Sequence, residues 1–145
     1  MDIYTIGFTK KTAEDFFERL KSSGIERLLD VRLNNTSQLA SFAKIPDLAF
    51  FLDKLCNIDY MHEPRLAPTQ NILDKFKKEK GTWEEYTIDF MDLMKNRKVE
   101  KEIDPAIFDK KTVLLCSEDT HENCHRSLIV DYLNSKWSNI QVHHL

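Results

Sequence analysis

Residues 112–132, TVLLCSEDTHENCHRSLIVDY, decide how this chain folds. Val113, Leu114, Leu115 and Cys116 form a continuous apolar run, as expected of a strand covered on both faces of a parallel sheet. Ser117, Glu118, Asp119 and Thr120 end the run, and a helix follows that carries Cys124, His125 and Arg126. Leu128, Ile129, Tyr132 and Leu133 recur at helical spacing and form its buried stripe, to about Ser135. Asp119, with Glu122 at the third helical position, is the expected N-cap, and Asn123 is its rival. Such a strand–loop–helix crossing gathers polar residues where the strand ends, the place at which open α/β sheets bind ligands.

Working outward, Ile3, Tyr4, Thr5 and Ile6 make a first strand closed by Gly7, which supplies either a plain strand end or a close backbone approach. Thr12 caps a helix with Asp15 three residues on; Ala13, Phe16, Phe17 and Leu20 form its stripe and Gly24 ends it. Residues 28–31 make a second strand. A helical crossover between them forces parallel pairing. Residues 33–44 are a polar loop over the crevice, in which Phe42 either packs the loop down or stacks on a planar ligand. Pro46 opens a helix with Leu48, Phe51, Leu52 and Leu55 inward and Cys56 as a core residue. Residues 58–62 are a third strand and residues 71–80 a charged helical run.

Thr82 and Glu85 form a capping box for a longer helix with Trp83, Tyr86, Phe90, Leu93 and Met94 on one stripe. A polar connection over residues 96–111, with short helical turns, leads to the fourth strand at 112–116. Residues 140–143 are a fifth. The expected fold is a single three-layer α/β domain over residues 1–145, with a mostly parallel sheet and flanking helices.

The 145 residues are 41% hydrophobic and 31% charged, the balance of an ordinary globular domain. No apolar run is long enough to cross a bilayer, so no membrane partner is expected. The start, MDIYTIGFTKK, lacks the pattern of a signal peptide and makes the cytoplasm the default location. A formal net charge of -3 weighs against non-specific nucleic-acid binding but leaves room for a local basic pocket. The expected partner is a small anionic ligand, with a nucleic-acid end left open. Three cysteines, Cys56, Cys116 and Cys124, argue against a disulfide scaffold. With only three glycines the chain has no dinucleotide fingerprint, and no cofactor is indicated.

The candidate site lies at the strand ends. Asp30 and Arg32 flank Val31 and share a side of the chain by two-residue periodicity. They either face the crevice or pair with each other. Cys116 is the candidate nucleophile, because a thiolate at a helix start is stabilised by free amides. The alternative is a small residue packing the strand end. Glu118 or Asp30 would act as base or orienter, and His125 joins them as a catalytic candidate. Arg126 either offers its fork of donors to an anion or pairs at the surface with Asp30 or Glu122. Arg32, Arg126, Gly7 and Ser127, with exposed amides, would make an anion pocket. Cys124 and His125 are neighbours on a helix, so they do not face one another as a dyad. Cys116, His121, Cys124 and His125 are metal-type ligands, but the cysteine spacing is not the tight pair of a structural zinc site, and no metal is assigned.

These motifs together resemble a known family. Tyr4-Thr5-Ile6-Gly7, Asp30-Val31-Arg32 and Leu114-Leu115-Cys116-Ser117-Glu118 followed by Cys124-His125-Arg126 are similar to the domain-of-unknown-function family 488. The resemblance runs from Tyr4 to about His143, and the LLCxE and CHR elements are its most specific part. It implies a small cytoplasmic α/β protein and no particular activity. The chain departs from the family at Phe8-Thr9, where His-Ser is common, and after Arg32, where proline is common. A third departure is Leu66-Ala67-Pro68, where Leu-Gly-Gly is common. The strand end at residues 30–32 is also similar to rhodanese-like domains, whose active loop is not matched.

Overall fold

The computed structural model describes residues 1–36, 40–118 and 122–145. Five strands, β1 (Asp2–Gly7), β2 (Arg27–Asp30), β3 (Asp59–His62), β4 (Thr112–Cys116) and β5 (Gln141–His144), form one sheet in the order β3-β2-β4-β1-β5. Every pairing is parallel. Helices α1 (Ala13–Ser22), α2 (Asp47–Phe51), α3 (Gln70–Lys77), α4 (Trp83–Arg97), α5 (Val99–Glu102) and α6 (His125–Trp137) connect them. Alpha-helix α2 runs on as a wider helical turn, Leu52–Cys56. No helix among the described residues is long and apolar enough to cross a membrane.

Strand alternation sends side chains to two cores. Ile6, Leu28, Val113 and Leu115 pack with Phe16, Phe17 and Leu20 of α1 and with Leu48 of α2. Ile3, Leu29 and Leu114 pack on the other face with Phe90 and Met94 of α4 and Leu128, Ile129 and Leu133 of α6. β4 is buried at every residue, as its unbroken apolar run requires of a central strand. The result is the expected three-layer arrangement. Phe42 stands 5.4 Å from Phe16 and 6.0 Å from Phe17, ring centre to ring centre, so it pins the loop onto α1. Of that loop, residues 37–39 lie outside the described part.

Local chemistry sets three of these six helix starts. Thr12, Thr69 and Thr82 each accept a hydrogen bond from the amide three residues on. Gly24 adopts a φ of 71° just past α1, a left-handed turn that glycine takes without penalty. The start of α6 differs from expectation. Its N-cap is Cys124, which makes no side-chain capping bond. Asn123 is left-handed, with a φ of 53°, and turns the chain into the helix one residue later. Asp119, the other expected cap, lies outside the described residues.

Candidate functional site

The sheet register aligns the strand ends. Gly7 stands opposite Cys116, while Asp30 stands opposite Leu115 on one side and His62 on the other. Residues far apart in the chain therefore meet along one carboxyl edge. A cleft of about 150 Å³ opens there, bounded by the 32–34 segment, α3, Tyr86 of α4, the end of β4 and the start of α6.

The cysteines are bonded to each other. Cys116 and Cys124 form a disulfide across eight positions of the chain, and Cys56 is the free thiol. This corrects the sequence-based expectation of unpaired cysteines and of a Cys116 thiolate: in this state the Cys116 sulfur has no lone thiolate to attack with. The strand end and the helix start bring the two residues together, which sequence spacing alone does not reveal. Both sulfurs are buried at the cleft floor.

Arg126 is buried, at 1% exposure, which rules out the second of its two expected roles, a surface arginine paired with an acid. Its Nη1 donates to the Glu118 carbonyl at 2.7 Å and lies 3.8 and 4.0 Å from the Cys116 and Cys124 sulfurs. Gly7 explains how this fits. A Cβ there would run into the Glu118 carbonyl and stand 2.7 Å from Arg126 Nη1. The close backbone approach at Gly7 thus serves the chain's own 118 carbonyl and arginine.

Asp30 and Arg32 pair with each other. Arg32 donates from Nε to Asp30 Oδ1 and from Nη2 to Asp30 Oδ2, each at 2.8 Å. Its backbone amide also donates to Oδ1, and the Tyr60 hydroxyl donates to Oδ2 at 2.6 Å. A carboxylate that accepts four hydrogen bonds and is fully buried is poorly placed as a base. Its observed job is to orient Arg32, whose Nη1 reaches the Ala43 carbonyl. Burial and the Asp30 hydrogen bond push the Tyr60 hydroxyl's pKa well above the usual range.

His125 is buried against Phe90. Its Nε2 is 2.8 Å from the Val31 carbonyl. A carbonyl only accepts, so Nε2 carries the proton and Nδ1 keeps a lone pair. Burial, helped by the Arg126 charge, pushes its pKa down to about 4, so the ring is neutral at neutral pH. Ser127 donates its hydroxyl to the Cys124 carbonyl at 2.8 Å and does not line the cleft.

At the mouth, Glu118 pairs with Lys77 at 3.1 Å, both groups part-exposed. Lys77, Phe76 and Asn34 line the cleft, and nothing in the sequence marks them as site residues. Lys77 sits among solvated lysines, and only the docking of α3 singles it out. Tyr86 does line the cleft, as its place on the α4 stripe allowed. Burial, and the Glu118 charge after it, push its hydroxyl's pKa above the usual range. A second fork was also missed. Glu63 is paired by Arg65 Nε and Nη2 at 2.7 and 2.8 Å, repeating at the end of β3 the acid–X–Arg geometry of β2.

Among the described residues, Cys116, Cys124 and His125 place ligand-type atoms within 4.8 Å of one another. His121, the fourth metal-type residue of the sequence, lies outside the described part. The sequence reading against any metal group rested on spacing, and folding removes that objection for these three. No curated protein and no solved structure matches the chain. The family described as "Domain of unknown function DUF488" matches residues 12–133, and the chain belongs to it.

Proposed function

For this DUF488 protein we propose that the cleft binds a small phosphate-bearing group, such as the phosphate end of a nucleotide or of a nucleic-acid strand, without reacting with it. One observation carries the reading: Arg32, Lys77 and the start of α6 border a single cleft. Counting the buried Asp30 and Arg126 behind the lining, three cations stand against two carboxylates, Asp30 and Glu118, and the balance favours an anion. Among the described residues, Arg32 spends three of its five N–H groups on Asp30 and Ala43, which leaves two for a ligand. Pro68, Leu73, Phe76 and Tyr86 give the cleft an apolar wall for whatever carries the phosphate. Its size, about 150 Å³, is below the range of roughly 300–1,000 Å³ common for whole ligands. It suits the phosphate end of a molecule rather than a dinucleotide.

A second, enzymatic reading is favoured by the 3.8 Å approach of Arg126 Nη1 to the Cys116 sulfur. After reduction, that guanidinium would favour a thiolate able to attack an electrophile, with Glu118 as base. Titration with inorganic phosphate and nucleoside monophosphates, followed by amide chemical shifts, tests the binding reading. Resonances of Arg32, Ser117 and the first turn of α6 should move. Lys77→Ala should weaken binding about two- to fivefold, as befits a part-exposed charge. No shift at those residues with millimolar ligand would refute binding. Selective alkylation of Cys116 in the reduced protein near pH 7 would support the enzymatic reading, and its absence would remove it.

A further inference from the structure

The disulfide holds two sulfurs beside an imidazole, and this group has a property that the anion reading does not use. Two thiolates and a neutral imidazole are ligands of the type that Zn²⁺ prefers. We propose that reduction of the Cys116–Cys124 bond creates a cation site. In it Cys116 Sγ, Cys124 Sγ and His125 bind one Zn²⁺-type ion, with a fourth position open to the cleft.

Three features point the same way. A ring nitrogen of His125 and the two sulfurs already lie within 4.8 Å of one another. Tetrahedral zinc with bonds of about 2.3 Å to sulfur needs its two sulfurs roughly 3.8 Å apart, a spacing open only to the reduced pair. The imidazole is oriented as well. Nε2–H donates to the Val31 carbonyl, the outer bond that metal-bound histidines commonly make, and it leaves a lone pair on the other nitrogen. All three residues line the cleft, so a water or an incoming ligand can reach the fourth position. Three protein ligands with one open position is the pattern of a reactive or exchangeable site rather than a closed structural one.

The state of the sulfurs gates the site. In the disulfide both are committed to each other. A dithiol reductant breaks the S–S bond and delivers two electrons and two protons, becoming a disulfide itself. When the ion binds, the two thiol protons leave to solvent and two thiolate charges balance the divalent ion. Arg126 stays held by the Glu118 carbonyl and need not ligate. This inference stands apart from the anion reading, since it depends on the sulfurs and the imidazole alone.

Co²⁺ is the probe, because thiolate coordination gives it a charge-transfer absorption that other sites lack. The full chain carrying Cys56→Ser, to remove the remaining thiol, is reduced with a dithiol, desalted without oxygen and titrated with CoCl₂. One equivalent should bind with thiolate charge-transfer and tetrahedral d–d bands, and the unreduced protein should show neither. Zn²⁺ should displace the bands. His125→Gln should keep the charge-transfer band and lose at least about tenfold in affinity. Absence of the bands in reduced protein that keeps its far-UV circular dichroism would overturn the proposal. So would loss of that dichroism on reduction, or bands that persist unchanged in Cys124→Ser.

Discussion

Gly7 sets the geometry of the strand edge by what it lacks. Its missing side chain leaves room for the Glu118 carbonyl and for the guanidinium that this carbonyl holds. Gly7→Ala should destabilise the protein by about 3 kcal/mol, the upper end for forcing a methyl group into packed space. Urea unfolding at neutral pH measures it, and an unchanged midpoint would mean that the carbonyl does not sit there. A close approach at this glycine was legible from its place after a strand. The identity of the visitor was not, because it comes from the other end of the chain. Asp30 and Arg32 were similarly half legible. Two-residue periodicity puts them on one side, but whether they meet a ligand or each other depends on Tyr60 and the Ala43 carbonyl closing around them.

Two helix starts, at Thr12 and Thr82, were readable because their signal is local, while the equally local cap at Thr69 was missed. Thr12 and Thr82 cap the helices that their sequence neighbours announce, since a cap needs only a side-chain oxygen and an amide three residues on. Thr82→Ala should therefore cost about 1 kcal/mol, seen as a lower denaturant midpoint with an unchanged slope. A loss below a few tenths of a kcal/mol would mean that the α4 terminus is held by something else. The start of α6 shows the limit of such reading. Asn123 does not cap it; the chain instead turns there and is tied back to β4 through Cys124. That tie is a contact between two elements, and no local preference encodes it.

Across the whole molecule, neighbouring strand ends carry the same device. Asp30 with Arg32 and Glu63 with Arg65 fold an arginine back onto the carboxylate two residues before it, and the two strands are joined by the Glu63 amide bonding to the Asp30 carbonyl. The Arg65 hydrogen bonds hold the Glu63 pKa below its ordinary 4.5. The unfolded chain then binds a proton at Glu63 before the native state does. The stabilisation is complete above the unfolded-state value and is lost as pH falls through the folded one. Between neutral pH and pH 3, Glu63→Gln should lose stability less steeply than the unaltered protein in urea titrations, and parallel curves would contradict this. The sequence alone determined the strands, the helices and the parallel three-layer fold, because hydrophobic period, caps and crossover length act over a few residues. Only the tertiary structure decided which sulfurs bond, which arginines are spent internally and which lysine reaches the cleft. Those outcomes depend on distances between strand ends and helix starts, and these exist only once the sheet has brought the ends together.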